Sequence, residues 1–159
     1  MRTKRNRRLG TLLPGTKTEP TLKLAVGIDN SGSVSDQELA TFFTELDALA
    51  TQSKAAILVG LCDTEIHNKY TNSSSDFRSA KLVPNFKKME FEGRGGTFYQ
   101  PMVDMANSEE VDGLIIFGDM DSADDPTKPK IPVLWVSSRE GTKPPADFGR
   151  IIYVDPKTN

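Results

Sequence analysis

Residues 22–28, LKLAVGI, are apolar at nearly every position, and the run stops at Asp29. Continuity of this kind, rather than alternation, marks a strand buried on both faces, as in a parallel sheet. Residues 35–52, SDQELATFFTELDALATQ, change to a helical period, with Leu39, Phe42, Phe43, Leu46 and Leu49 on one face. Ser35, followed three residues later by Glu38, is the capping-box pattern that starts such a helix. A second buried-strand run lies at 56–62, a third strong strand at 113–117, and two more strands read at 132–136 and 150–154. A tight turn leads into a short strand at 65–70, as in a hairpin, and 71–76 reads as a loop. Residues 77–92 stay ambiguous, with Pro84 arguing against one long helix. A glycine-rich loop at 92–97 leads to a helix over about 98–107, with Thr97 as cap, Gln100 as its partner and Pro101 tolerated in the first turn. Residues 137–149, SSREGTKPPADFG, are too rich in proline and glycine for a full crossover helix. Strands alternating with helices predict an α/β sheet, and such sheets bind ligands past the carboxyl ends of their strands. Asp29 and Asp119 stand at two such ends.

At 159 residues the chain is long enough for one domain with a real core. We divide it into a basic N-terminal arm at 1–21 and a domain at 22–159. The arm carries Arg2, Lys4, Arg5, Arg7 and Arg8 without apolar periodicity, which reads first as a solvated, extended segment. A nucleic-acid or acidic-partner role ranks second, because no aromatic lies among those charges to stack on a base. The formal net charge of −2 adds no general bias toward nucleic acid or membrane. The single cysteine, Cys62, rules out an intramolecular disulfide, and no apolar run approaches the roughly 20 residues of a membrane helix. With no apolar signal segment either, the expectation is a soluble cytoplasmic protein.

The chemistry concentrates in Asp29, Ser31, Ser33, Thr97 and Asp119, all hard oxygen donors. A small cation such as Mg²⁺ takes about six oxygens and usually keeps some water. Two carboxylates balance its charge, and three hydroxyls add neutral ligands. The alternate spacing in DNSGS lets three side chains of one loop converge, and no soft donor favours zinc or copper. Singly, each aspartate reads better as a turn residue. Asp63 reads as a hairpin-turn residue; Asp121, Asp124 and Asp125 as a solvated acidic loop; His67 as a strand surface residue; Trp135 as core; and Cys62 as buried and inert.

DNSGS (29–33), GRGGT (93–97) and LIIFGD (114–119), in that order, resemble the von Willebrand factor A (VWA) family and its metal-ion-dependent adhesion site. NRRLGTLLPG, AVGIDNSGSV, CDTEIH, GRGGTFYQPM and IPVLWV are more closely similar to the VWA-like DUF2201 group, found at the C-terminus of bacterial metallopeptidase-like proteins. The resemblance covers about residues 22–155. It implies that residues 6–15 of the arm pack on the domain. It also implies a three-layer, doubly wound, mostly parallel six-stranded sheet of order 3-2-1-4-5-6, with helices on both faces and one antiparallel edge strand. His67 is the only histidine, so His-Glu-x-x-His is absent; the expectation is the VWA-like module alone, in a bacterial or phage stand-alone version.

The implied function is divalent-metal-dependent protein binding. Asp29, Ser31, Ser33, Thr97 and Asp119 would hold Mg²⁺ (Mn²⁺ and Ca²⁺ being alternatives), and a partner would supply an Asp or Glu. The partner class implied is a MoxR-type AAA+ ATPase. FGDMD departs from the familiar Thr-Asp-Gly, with Gly118 before Asp119 and Met120 after it. The enzyme alternative is Mg²⁺-dependent phosphoryl transfer by Asp119 and Asp121, which is similar to haloacid-dehalogenase-like phosphatases but leaves DNSGS unexplained. A serine hydrolase lacks its Gly-x-Ser-x-Gly elbow, and GRGGT lacks the ending of a phosphate loop.

Overall fold

The computed structural model describes residues 22–83, 86, 97–121 and 124–154. The basic arm, the glycine-rich segment at 93–96 and half of the ambiguous stretch 77–92 lie outside them.

β1 (Lys23–Asp29) leads through a short loop into α1 (Asp36–Ser53). Ser35 Oγ accepts the Glu38 N–H at 3.1 Å, and Glu38 Oε1 accepts the Ser35 N–H at 2.8 Å, which completes the capping box. β2 (Ala56–Cys62) and β3 (Ile66–Thr71) form an antiparallel hairpin, followed by the two-residue β4 (Lys81–Leu82). After α2 (Gln100–Ser108), the chain closes the sheet with β5 (Gly113–Gly118), β6 (Val133–Ser137) and β7 (Arg150–Tyr153).

The strand order is β4-β3-β2-β1-β5-β6-β7. The six expected strands lie in the expected order. The addition is β4, which pairs parallel with β3 and so takes the edge from the antiparallel strand. A run of two residues is too short to leave a periodic signal. β6 and β7 run parallel with no helix among the described residues between them, as the prolines and glycines of 137–149 foretell.

Neighbouring residues on the central strands face opposite sides. Val26, Ile28, Val59, Ile115 and Phe117 pack under Leu39, Phe42, Phe43 and Leu46 of α1. Ala25, Leu58, Leu114, Ile116 and Trp135 pack under Met102, Val103, Met105 and Ala106 of α2. Both faces are covered, so the strands need apolar residues at every position. Trp135 and Cys62 are fully buried, and burial pushes the Cys62 thiol far above its ordinary range.

Candidate metal centre

Two aspartates meet here because β1 pairs with both β2 and β5. The register sets Ile28 beside Phe117, so Asp29 and Asp119 leave neighbouring strands at the same carboxyl edge. Asp29 is wholly buried. Its Oδ1 accepts the Ser31 N–H at 3.0 Å, which turns the loop back on itself. The turn brings Ser31 Oγ and Ser33 Oγ to 3.0 Å, so two hydroxyls converge beside the first carboxylate.

Burial pushes the Asp29 carboxyl up from 3.8 to about 6; hydrogen bonds from Ser31 and Tyr99 resist the rise, and the charge of Asp119 adds to it. Asp119 Oδ1 accepts the Asp121 N–H at 3.0 Å. Asp119 Oδ2 is buried and has no hydrogen-bond donor among the described residues. A buried carboxylate oxygen without a donor is costly. Asp29 and Asp119, both buried, together with the converging hydroxyls are a hard-oxygen donor set that a divalent cation suits. Among the described residues no cluster of three or more His, Cys, Asp or Glu forms, so any cation held here depends on hydroxyls as well as carboxylates.

Thr97 is buried and reaches this edge through its neighbours. The Phe98 N–H donates to the Asp63 carbonyl at 2.8 Å, at the end of β2. Tyr99 Oη donates to Asp29 Oδ2 at 2.8 Å and accepts the Met120 N–H at 3.2 Å. The structure therefore joins Asp29, Ser31 and Ser33 directly and links Asp29 through Tyr99 to the residue after Asp119. The Thr97 hydroxyl makes no hydrogen bond to the other four among the described residues.

Tyr99 escaped the sequence reading. Tyr99 falls inside the helix expected over about 98–107, where an aromatic looks like core, and Tyr99 is core by burial as well; its hydroxyl role depends on which strands are neighbours. Tyr99 also accounts for the glycine in FGDMD, the first half of that departure. A Cβ at Gly118 would lie 2.4 Å from Tyr99 Oη and 2.9 Å from Asp29 Cβ, so no side chain fits there. Met120 adopts φ 66°, a left-handed backbone, with its side chain buried on the α2 face. That conformation costs a non-glycine residue about 1 kcal/mol or more.

Two further expectations are corrected. The cap of α2 is not Thr97: the helix starts at Gln100, and Tyr99 in the cap position makes no side-chain capping bond. Asp124 caps it instead, accepting the Tyr99 N–H at 3.0 Å and the Gln100 N–H at 2.7 Å. Asp124 is thus a structural residue rather than part of a solvated loop, because the helix's first N–H groups need an acceptor and its positive end favours an anion. Asp121 is exposed. Asp63 behaves as a turn residue, its Oδ1 accepting the Thr64 N–H at 2.5 Å and the Glu65 N–H at 3.4 Å.

An open α/β sheet with acidic residues at the carboxyl ends of its two central strands, and hydroxyls in the loop between, defines the class as VWA-like. The chain belongs to the VWA-like domain family DUF2201, whose model matches residues 24–155. An uncharacterized protein of Thermotoga maritima is 32% identical over 110 residues, covering 67% of this chain and 25% of that protein. The chain thus spans about a quarter of the length of that relative. No helix among the described residues is long and apolar enough to cross a membrane.

Proposed function

We propose that this domain is a divalent-metal-dependent protein-binding module, in which Asp29, Ser31, Ser33, Thr97 and Asp119 hold the cation. The observation that carries the reading is Asp119 Oδ2, buried without a hydrogen-bond donor among the described residues, at the same sheet edge as the buried carboxyl of Asp29. Bound there, Mg²⁺ or a similar ion would supply charge neutralisation and an open position for a carboxylate. The chain's own part is geometric. Asp29 and Asp119 provide charge from two adjacent strands. Ser31 and Ser33 provide neutral oxygens from one turn. Tyr99 fixes the Asp29 carboxylate by donating to Oδ2, which leaves its orientation set before any ligand arrives. The ligand class is an Asp or Glu side chain on another protein, and the partner we propose, on the strength of the family resemblance, is an AAA+ ATPase of the MoxR type. A cytoplasmic setting belongs to the same proposal.

Thermal melts with Mg²⁺, Mn²⁺, Ca²⁺ or chelator test the reading. A cation at 100 times its Kd adds about 2.7 kcal/mol to stability, and Asp29→Ala should abolish that gain. Identical melts at millimolar metal and in chelator would sink it.

A further inference from the structure

Arg139 follows β6, and its side chain is 46% exposed. Its guanidinium reaches two parts of the candidate centre and the first turn of α1 beside it. Nε donates to Glu38 Oε2 at 3.2 Å, and Nη2 donates to the Ser33 carbonyl at 2.6 Å and to Glu38 Oε1 at 3.4 Å. These bonds tie the DNSGS loop and the first turn of α1 to the end of β6. Nη1 stands 3.6 Å from Asp119 Oδ2, the oxygen that no donor reaches among the described residues. This contact is an ion pair without a hydrogen bond. It sets a positive charge against the carboxylate oxygen that a cation would need.

We propose that Arg139 is an internal competitor for Asp119 that sets the metal affinity of the site. The inference rests on the metal-binding reading above. In the metal-free protein the guanidinium partly neutralises Asp119. A divalent ion on Oδ2 and a guanidinium within 4 Å of it repel each other, so binding must include withdrawal of Nη1. The half-exposed side chain has room to withdraw, and its bonds to Glu38 and Ser33 need not all break. Glu38 is the counterweight: it shares the positive charge and so limits how far Arg139 leans on Asp119. Arg139 thereby acts as a positioning residue whose effect on affinity has the opposite sign to that of a ligand.

Calorimetric titration of the full chain with Mn²⁺ and with Mg²⁺ alone, at fixed ionic strength, tests this. Arg139→Gln should bind metal about two- to fivefold more tightly, the scale of one half-exposed ion pair. Glu38→Gln should bind about twofold or more weakly, because the glutamine keeps the capping box while the guanidinium loses its competing carboxylate. Loosening of the structure would weaken both variants, so opposite signs separate competition from simple damage. Unchanged or weaker binding by Arg139→Gln, or shifts of both variants in one direction, overturns the proposal. If Arg139→Gln melts too low to titrate, Glu38→Gln decides alone, and equal or tighter binding overturns it. Wild type that binds while the variants do not differ defeats only this inference. Wild type that takes up no metal defeats the metal-binding reading itself.

Discussion

Asp29 carries the conflict of the site in a single side chain. Its carboxyl is raised from 3.8 to about 6, chiefly by burial. An acid raised on folding holds its proton more tightly in the folded state. Its contribution therefore favours folding at low pH and is lost as pH rises through about 6. Above that, the ionised and buried group costs about 3 kcal/mol relative to the unfolded chain. In chelator at pH 7, Asp29→Asn should be about 1–2 kcal/mol more stable than wild type, the expected trade of stability for function. The gap should close toward pH 4. Denaturant melts from pH 4 to 8 would check this, and parallel pH profiles for the two proteins would contradict it. Glu38 works the other way. Burial pushes it up, but bonds from Ser138, the Ser35 N–H and Arg139 outweigh burial and hold it below its ordinary 4.5. Its contribution is present above that value and is lost as pH falls through the lower folded value.

At the scale of elements, α2 holds the Thr97–Tyr99 segment against the sheet, and its start is secured from a distance. Asp124 lies 24 residues after Gln100 in the chain yet accepts its N–H. The Thr127 N–H donates to Gln100 Oε1 at 2.8 Å, which binds the same acidic loop to the helix a second time. Asp124→Ala should cost about 1 kcal/mol, the usual cost of a lost cap. Because Tyr99 bonds both Asp124 and Asp29, the variant should also bind metal more weakly than wild type. Melts in chelator give the first quantity and metal titration the second. A variant that loses stability but keeps full metal affinity would show that the cap and the site are independent.

For the molecule as a whole, the site exists because the strand order sets β1 between β2 and β5. Asp29, Asp119 and the segment behind Thr97 come from chain positions up to 90 residues apart, and three elements must dock before they meet. Removal of Thr97, proposed as one neutral ligand, should leave that architecture intact. Thr97→Ala should therefore stay folded and keep both carboxylates, with metal affinity down about tenfold, or about 1.4 kcal/mol. Asp29→Ala should lose metal binding altogether. Calorimetric titration of both variants separates the outcomes, and full affinity in Thr97→Ala would remove that residue from the ligand set.

The elements that were legible in the sequence are those with local causes. The β1, β2, β5 and β6 runs are apolar throughout because both faces of the sheet are covered. The α1 stripe and its Ser35–Glu38 box lie within a few residues of one another, as do the Asx turns at Asp29 and Asp63. Resemblance added the strand order, which no local pattern contains. Tertiary structure decided the rest. The two-residue β4 makes no periodic signal, and its pairing with β3 is a tertiary contact that no local pattern encodes. Asp124 looked solvated because a cap 24 residues away leaves no spacing rule to read. Gly118 and Tyr99 explain each other only once their strands and helix are in place: one gives up its Cβ so that the other's hydroxyl can reach Asp29. Arg139 in sequence is one charge among prolines and glycines; folding sets it against Asp119. The physical reason is range. Burial period, turns and local caps such as the Ser35–Glu38 box act over one or two turns of chain, whereas long-range hydrogen bonds and charges act through space, between residues that only the completed sheet makes neighbours.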